Sequence, residues 1–159
     1  MPSQVLSQQP VSVSAFAALL RAHAAATRRL NAQLTVDHGL TISDFEVLLR
    51  LADAPDRRMR RVDLAQQVIL TASGITRLLD GLERAGCVER ESCASDGRVV
   101  YAVLTDAGLA KLREAAASHF AQIDDLLGAR FDTEELDQLT SLLLRLAEPG
   151  GELPCEPAV

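Results

Sequence analysis

Apolar positions near the start of the chain recur at the spacing of a helix. The series that runs from Val13 to Leu34 alternates steps of three and four residues, and His23 interrupts its apolar members. Residues at this spacing share one helix face. The pattern therefore predicts a long first helix that ends near His38 and Gly39.

Three further helices are predicted before residue 87. Thr41 can cap the first of them and Thr71 the last, because threonine is a favoured N-cap, and Gly86 suits the position just after a helix end. The apolar positions of these helices are Phe45, Leu48, Leu49 and Leu51; Val62, Leu64, Ala65 and Val68; and Ile75, Leu78, Leu79 and Leu82. The second and third are short and joined by a tight turn, which predicts a helix-turn-helix.

Two runs of residues typical of strands follow. Val88–Glu91 and Arg98–Leu104 are predicted strands, the second rich in valine. Between them, Ser92–Gly97 is small or polar apart from Cys93, which suits the tip of a hairpin. The pattern predicts a two-stranded wing, with no strand before the helix-turn-helix.

Two long helices are predicted after the wing. Thr105 caps the first, which ends at Gly128, and Asp132 with Glu135 forms a capping box for the second. The predicted fold class is mainly α with a small β-wing, a winged helix-turn-helix plus N- and C-terminal dimerisation helices. The winged segment alone buries only a small core, so the apolar helices at both chain ends predict a homodimer.

The length of 159 residues is that of one domain. Residues 1–12 and 148–159 are predicted to be flexible, and residues 13–147 to form a single winged-helix domain. Within it, about 56–104 is assigned to DNA binding, and 13–36 and 106–147 to dimerisation. No run is long and apolar enough for a membrane span and no secretory signal is visible, so a cytoplasmic protein without a membrane partner is expected.

The sequence offers little for catalysis or metal binding. Its three cysteines are too few for a disulfide scaffold and lack metal-ligand spacing, and it has neither a phosphate loop nor a hydrolase motif. We predict no enzyme activity, no metal and no cofactor. Cys87 is expected to be half-buried and Cys93 exposed on the wing, and a thiol-based redox regulator acting through Cys93 is an alternative hypothesis.

Charge is unevenly distributed. The net charge is −6, yet Asp56–Arg98 holds eight arginines against seven acids, whereas the rest of the chain has eight basic and fifteen acidic residues. The acidic excess therefore lies outside the segment that would meet DNA. A helical module that binds a ligand or protein instead of DNA is the alternative that the overall charge allows.

The second helix of a helix-turn-helix buries one face and offers the other to the major groove. Ile75, Leu78 and Leu82 share the inward face here. The residues left outward near its start are Ser73, Thr76 and Arg77. Short hydroxyls and arginine can bind phosphates and bases, so these three are the predicted DNA contacts.

Basic residues on both sides of this helix extend the predicted interface. Arg98 lies where a hairpin tip would carry it into a minor groove, and Asp96 is expected to hold its guanidinium. The run from Arg57 to Arg61 precedes the helix-turn-helix. Arg57 and Arg58 are the predicted contacts to the phosphate backbone.

Several of these segments together resemble the MarR family of bacterial winged-helix regulators. The resemblance lies in Leu64–Ala65, Ser73–Glu83, Gly86–Arg90, Asp96–Arg98 and Leu104–Gly108, and covers about residues 13–147. It implies a homodimer that binds pseudo-palindromic double-stranded DNA, usually as a repressor relieved by a small ligand or by oxidation. Gly97 departs from the family, which commonly has arginine there, so one phosphate contact is missing.

The resemblance also implies an effector site between the dimerisation helices and the winged domain, often for anionic aromatic compounds. His23, Phe45 and Leu49 are the predicted ligand-binding residues, although a histidine that is merely hydrogen-bonded within a core remains the alternative for His23. The branch of the family that senses organic peroxides has its reactive cysteine near the chain start. This sequence has none there.

Overall fold

The computed structural model of the chain describes residues 10–68, 70–93, 96 and 98–147. The chain divides into two compact units, the first ending at Phe120 and the second beginning at Ala121. The elements, in chain order, are α1 Val11–His38, α2 Ile42–Asp53, a 3₁₀ turn Pro55–Arg57, β1 Arg58–Arg60, α3 Arg61–Gln67, α4 Ala72–Arg84, β2 Val88–Ser92, β3 Val100–Leu104, α5 Asp106–Gly128 and α6 Thr133–Ala147. Six helices with one small sheet confirm the predicted fold class.

Local capping signals account for several helix bounds. α1 ends where Gly39 adopts a left-handed backbone with φ of 68°. At the start of α2, the Thr41 hydroxyl accepts a hydrogen bond from the Asp44 amide, while the Asp44 carboxylate accepts one from the Thr41 amide. These ends match the sequence predictions. α1 begins at Val11, inside the predicted flexible segment 1–12, and residues 1–9 and 148–159 lie outside the described part of the chain.

The sheet corrects the predicted two-stranded wing. It has three antiparallel strands in the order β1-β3-β2, and β1 is the strand that the sequence analysis missed. Arg58 pairs with Val103 and Arg60 with Tyr101. Met59 is half-buried against the core while the two arginines are exposed, so the alternation is that of a charged edge strand. Three residues with two arginines carry too little apolar signal to be identified in advance.

The core of the first unit lies between the helix-turn-helix and its neighbours. α2, α3, α4 and the two longer strands contribute most of it, together with the end of α1 and part of α5. The largest fully buried side chains are Leu34, Val47, Leu48, Leu51, Leu64, Ile75, Leu79 and Val88. Val62 is an exception to the sequence prediction, because its side chain is 55% exposed.

One glycine allows the start of α5 to lie close against this core. A Cβ at Gly108 would lie 2.1 Å from the carbonyl oxygen of Cys87 and 2.8 Å from Cδ1 of Leu104. The hydroxyl of Thr105 accepts a hydrogen bond from the Gly108 amide, which confirms the predicted N-terminal cap. The backbone of α5 can approach the start of β2 this closely only because residue 108 has no side chain.

The terminal helices differ from the winged segment in burial. Val13, Phe16 and Leu20 of α1 are 43–60% exposed. In α6 no residue is buried, and Leu142, Leu144 and Leu146 are 58–66% exposed. Asp132 and Glu135 form the predicted capping box at its start. No helix in the described part of the chain is long and apolar enough to cross a membrane.

Candidate nucleic-acid interface

α4 has the division of faces that the sequence predicts. Thr71 caps it, its hydroxyl accepting a hydrogen bond from the Gly74 amide. Ile75, Leu79 and Leu82 are buried, whereas Leu78 is only partly buried. The helix is therefore fixed to the core along one face, and its N-terminal end, where backbone amides attract anions, is exposed.

The three predicted contacts on α4 differ in exposure. Ser73 and Arg77 are exposed. Thr76 is half-buried, and its hydroxyl donates a hydrogen bond to the Ala72 carbonyl and accepts one from Nη1 of Arg61. The Thr76 hydroxyl is thus already engaged within the protein, which leaves Ser73 and Arg77 as the more accessible side chains.

The tip of the wing corrects two details of the prediction. β3 begins at Val100, so Arg98 belongs to the turn and not to the strand. The carboxylate of Asp96 accepts its hydrogen bond from the backbone amide of Arg98, at 3.0 Å, and not from the guanidinium. A short acidic side chain bonding an amide two residues later is a common turn contact. Asp96 thus shapes the turn that carries Arg98, while Gly97 lies outside the described residues.

The basic run Arg57–Arg61 consists of β1 and the residue on each side of it. Arg57 donates to Asp106 at 2.8 Å. Arg58 is 3.5 Å from Glu91 and has its guanidinium 4.6 Å from the centre of the Tyr101 ring. These ion pairs lie on the surface, where solvent and salt weaken them. Both arginines can exchange a carboxylate for a phosphate without leaving a buried charge behind.

The structure also shows a charged link that the sequence analysis missed. Arg90 of β2 contacts Asp80 and, at 3.2 Å, Glu83, and both acids lie on α4. The link joins the helix that would enter the major groove to the strand that leads into the wing. Two acids three residues apart on one helix face were a visible signal for a basic partner. Their partner Arg90, ten residues after Asp80 and seven after Glu83, could be identified only from the tertiary fold.

The predicted effector residues do not all lie together. Phe45 is buried, and its ring lies 4.8 Å from the His119 ring and 6.2 Å from the Phe120 ring. Leu49 is half-buried against the core, and His23 is exposed on α1. The histidine that contacts Phe45 is therefore His119, which sequence reasoning missed although it lies on the apolar face of α5. Burial lowers the pKa of His119 below its usual range, and its Nδ1 is buried without a hydrogen-bond partner.

Both cysteines in the described part of the chain are thiols. Cys87 is 6% exposed, more buried than predicted, because its amide bonds the Leu82 carbonyl and its own carbonyl accepts from the Thr105 amide. These bonds hold the residue against the core. Burial raises the pKa of the Cys87 thiol and so disfavours the reactive thiolate. Cys93 is half-buried, whereas exposure was predicted, and Cys155 lies outside the described residues.

Metal-binding geometry is absent from the residues that the structure describes. No three histidine, cysteine, aspartate or glutamate side chains among them lie close enough together to hold a metal ion. The side chains near α4 and the wing include, besides the acids that pair with Arg90, exposed arginines and hydroxyl groups. Such groups bind phosphates and base edges.

Comparison with known sequences identifies relatives that regulate transcription. A sequence profile of the MarR family matches residues 38–99. The HTH-type transcriptional repressor YetL of Bacillus subtilis (strain 168) is 36% identical over 110 residues. That match covers 69% of this chain and 65% of YetL, slightly less than two-thirds of the relative.

Solved structures share the fold over almost the whole chain. AbsC, a MarR family transcriptional regulator from Streptomyces coelicolor, is 31% identical with a TM-score of 0.78, and the match covers 89% of this chain and 95% of AbsC. A second MarR family regulator from the same organism, solved in complex with DNA, is 28% identical with a TM-score of 0.81 and 92% coverage of both chains. These relatives are regulators and not enzymes, as the sequence predicts. The chain belongs to the MarR family of transcriptional regulators.

Proposed function

We propose that this protein is a homodimeric repressor that occupies a pseudo-palindromic DNA operator. The observation that carries the proposal is α4, which buries Ile75, Leu79 and Leu82 while exposing Ser73 and Arg77 near its start. In this arrangement α4 enters the major groove, and Arg98 on the wing reaches the neighbouring minor groove. Arg57 and Arg58 contact the phosphate backbone.

Two comparisons support the DNA and repressor parts of the proposal. The regulator from S. coelicolor with a TM-score of 0.81 was solved bound to DNA. YetL is named a transcriptional repressor. Repression requires only that the bound protein block access to a promoter.

Exposed apolar side chains on α1 and α6 support the homodimer. A face that carries Phe16 and Leu20, or Leu142 and Leu146, is costly to leave in water. A second copy of the chain offers matching faces, and twofold symmetry pairs each with its equivalent. A twofold axis also explains why the operator would be pseudo-palindromic.

The effector part of the proposal rests on the family resemblance and on the aromatic cluster around Phe45. Salicylate is a suitable probe because it is a small anionic aromatic compound. We expect it to raise the melting temperature, since binding to the folded state stabilises that state by mass action. We also expect it to release DNA, because an effector that relieves repression binds the DNA-free conformation more tightly than the DNA-bound one. His23→Ala and Leu49→Ala should weaken both effects, and unchanged responses in both variants would remove these residues from the site.

The central experiment selects duplexes from a random-sequence library with the wild-type protein and measures affinity for the selected duplex. Arg77→Ala should cost about 1–3 kcal/mol and relax sequence preference at one position. Arg98→Ala should lower the affinity and the salt dependence of binding. Arg113→Ala, an exposed arginine on α5, is the matched control and should bind as the wild type does. Failure of the wild type to enrich any sequence would contradict the proposal.

A further inference from the structure

A small pocket lies between the start of α3 and the base of the wing. It has a volume of about 100 Å³ and is lined by Arg60, Arg61, Val62, Arg98, Val99 and Val100. We name it the arginine pocket. The pairing of β1 with β3 creates it, because Arg60 lies opposite Tyr101 and the residues just after β1 therefore meet those just before β3. Three arginines from two distant parts of the chain thus share one cavity.

The arginine pocket keeps a positive charge after its internal ion pair is counted. The carboxylate of Asp63 accepts hydrogen bonds from Nε and Nη2 of Arg60, at 2.6 and 2.9 Å, and neutralises that guanidinium. Arg61 donates only from Nη1, to the uncharged Thr76 hydroxyl, and a guanidinium has five N–H donors. Arg98 contributes a further charge, since its bond to Asp96 comes from the backbone amide. When the Asp96 carboxylate is counted as well, three arginines and two aspartates leave one positive charge, so the pocket attracts an anion.

The size of the arginine pocket selects among anions. Its volume of about 100 Å³ equals roughly three water molecules at about 30 Å³ each. Cavities for drug-sized ligands are several times larger, on the order of 300–1,000 Å³. The pocket is therefore small for an aromatic effector, whereas it has room for the charged oxygens of one phosphate group. The planar guanidinium matches the geometry of such oxygens.

The pocket lies between the two elements proposed to enter DNA grooves. The hydrogen bond to the Thr76 hydroxyl places the Arg61 guanidinium against α4, at the residue that precedes Arg77. Arg98 belongs to the turn of the wing. One sugar–phosphate strand separates a major groove from the adjacent minor groove. A protein with α4 in one groove and the wing in the other must cross that strand at the arginine pocket.

We infer that the arginine pocket is an oxyanion site that binds one phosphate group, with Arg61 and Arg98 as its charged donors. On DNA, this phosphate lies at the edge of the minor groove that the wing enters, so Arg98 contacts the backbone at that edge. The phosphate comes either from the DNA strand between the two grooves or from free phosphate in solution. The DNA source rests on the proposed function, whereas the site itself does not. Arg60 lines the pocket but is not one of its charged donors, because Asp63 already neutralises its guanidinium.

The first arm of the test uses selected duplexes in which single phosphates are replaced by neutral methylphosphonates. In the wild type, one position in each half-site should lose affinity about tenfold, the size of one charge-assisted hydrogen bond. Arg61→Gln should lose a similar factor on unmodified DNA and then become insensitive to that one replacement. Arg113→Gln carries the same charge change elsewhere and should keep the wild-type profile. An Arg61→Gln variant that still loses the same factor as the wild type at that one position would show that Arg61 contacts no single phosphate, even if the variant is less stable.

The second arm titrates inorganic phosphate into the DNA-free protein at constant ionic strength. Side-chain Nε–H resonances of arginine are followed by NMR. A saturable shift of Arg61 and Arg98 in the wild type, absent for Arg98 in Arg61→Gln, identifies free phosphate as a ligand. If one DNA phosphate depends on Arg61 in the first arm and this shift is absent, the DNA backbone is the source of the phosphate. The absence of both effects would overturn the inference. A wild type that selects no duplex would defeat the proposed function, and the phosphate titration would then decide by itself whether the pocket binds phosphate.

Discussion

The winged segment and the terminal helices bury their apolar residues to different extents. Leu48 and Leu79 in the winged segment are 0–1% exposed, whereas Leu142 and Leu146 of α6 are 58% and 66% exposed. Both regions have apolar residues at helical spacing in the sequence. The difference shows that periodicity identifies the face of a helix that will be covered, but not whether its own chain covers it.

The largest expected effect comes from the buried side of this comparison. Leu48→Ala should lower the free energy of unfolding by about 2–5 kcal/mol, because it removes a fully buried side chain and leaves a cavity. Chemical denaturation at several protein concentrations measures it. Leu146→Ala on α6 is the matched control, and its effect should be smaller and should depend on protein concentration. A concentration-independent loss of similar size at Leu146 would show that α6 is covered within one chain.

The exposed side of the comparison predicts loss of assembly without loss of fold. Leu142→Asp combined with Leu146→Asp should reduce the mass in light scattering from about twice 17.1 kDa to 17.1 kDa. The reason is that two carboxylates would be desolvated in the proposed interface, at a cost of several kcal/mol. The far-ultraviolet circular dichroism of the winged segment should remain. A dimer of undiminished stability would place the interface away from this face of α6.

A third test compares two glycines, one in each unit. Gly108→Ala should destabilise the protein by about 1–3 kcal/mol, because its Cβ would overlap the Cys87 carbonyl oxygen, and one backbone must move. Gly128→Ala meets only Asp124, at 3.7 Å, and should be neutral or slightly stabilising. Thermal melts of both variants provide the measurement. A stable Gly108→Ala protein would mean that α5 can shift away from the sheet at little cost.

The smallest effect is a pH dependence of the stability of the first unit, which contains His119. Burial lowers the folded-state pKa of His119, and unfolding returns it to about 6.5. Between these values the unfolded chain binds more protons, so stability rises with pH in this window and is lost as pH falls below about 6.5. The slope from one group is at most about 1.4 kcal/mol per pH unit. His119→Phe should remove this contribution, while Phe120→Leu should retain it.

Signals confined to a few neighbouring residues made much of the fold predictable. Thr41, Thr71 and Thr105 each cap a helix as the sequence indicates, and Gly39 ends α1. These residues act through backbone groups within about four positions, so the sequence alone specifies the contact. The exposure of Arg77 on α4 was predictable from equally local information, because the spacing of the apolar residues around it marks the opposite face of the helix as buried.

Features that depend on distant partners were not predictable. β1 exists only because β3 provides its hydrogen bonds, and Arg90 finds its acids on α4 through the tertiary fold. The hydrogen bond that the Asp96 carboxylate accepts from the Arg98 amide is local, yet it was not predicted, because it depends on the backbone conformation of that turn. His119 lay in a helical pattern that was identified, yet its contact with Phe45 requires two helices to be placed together.

The three residues of β1 also restrict how the chain can change in length. Successive side chains of a strand point to opposite faces, and Met59 faces the core between two exposed arginines. A slip of one residue in the pairing of β1 with β3 would reverse this parity, turning arginines inward and methionine outward. A residue gained or lost within Arg58–Arg60 must therefore be absorbed as a bulge or as such a slip, whereas substitutions at the two exposed arginine positions leave the parity unchanged.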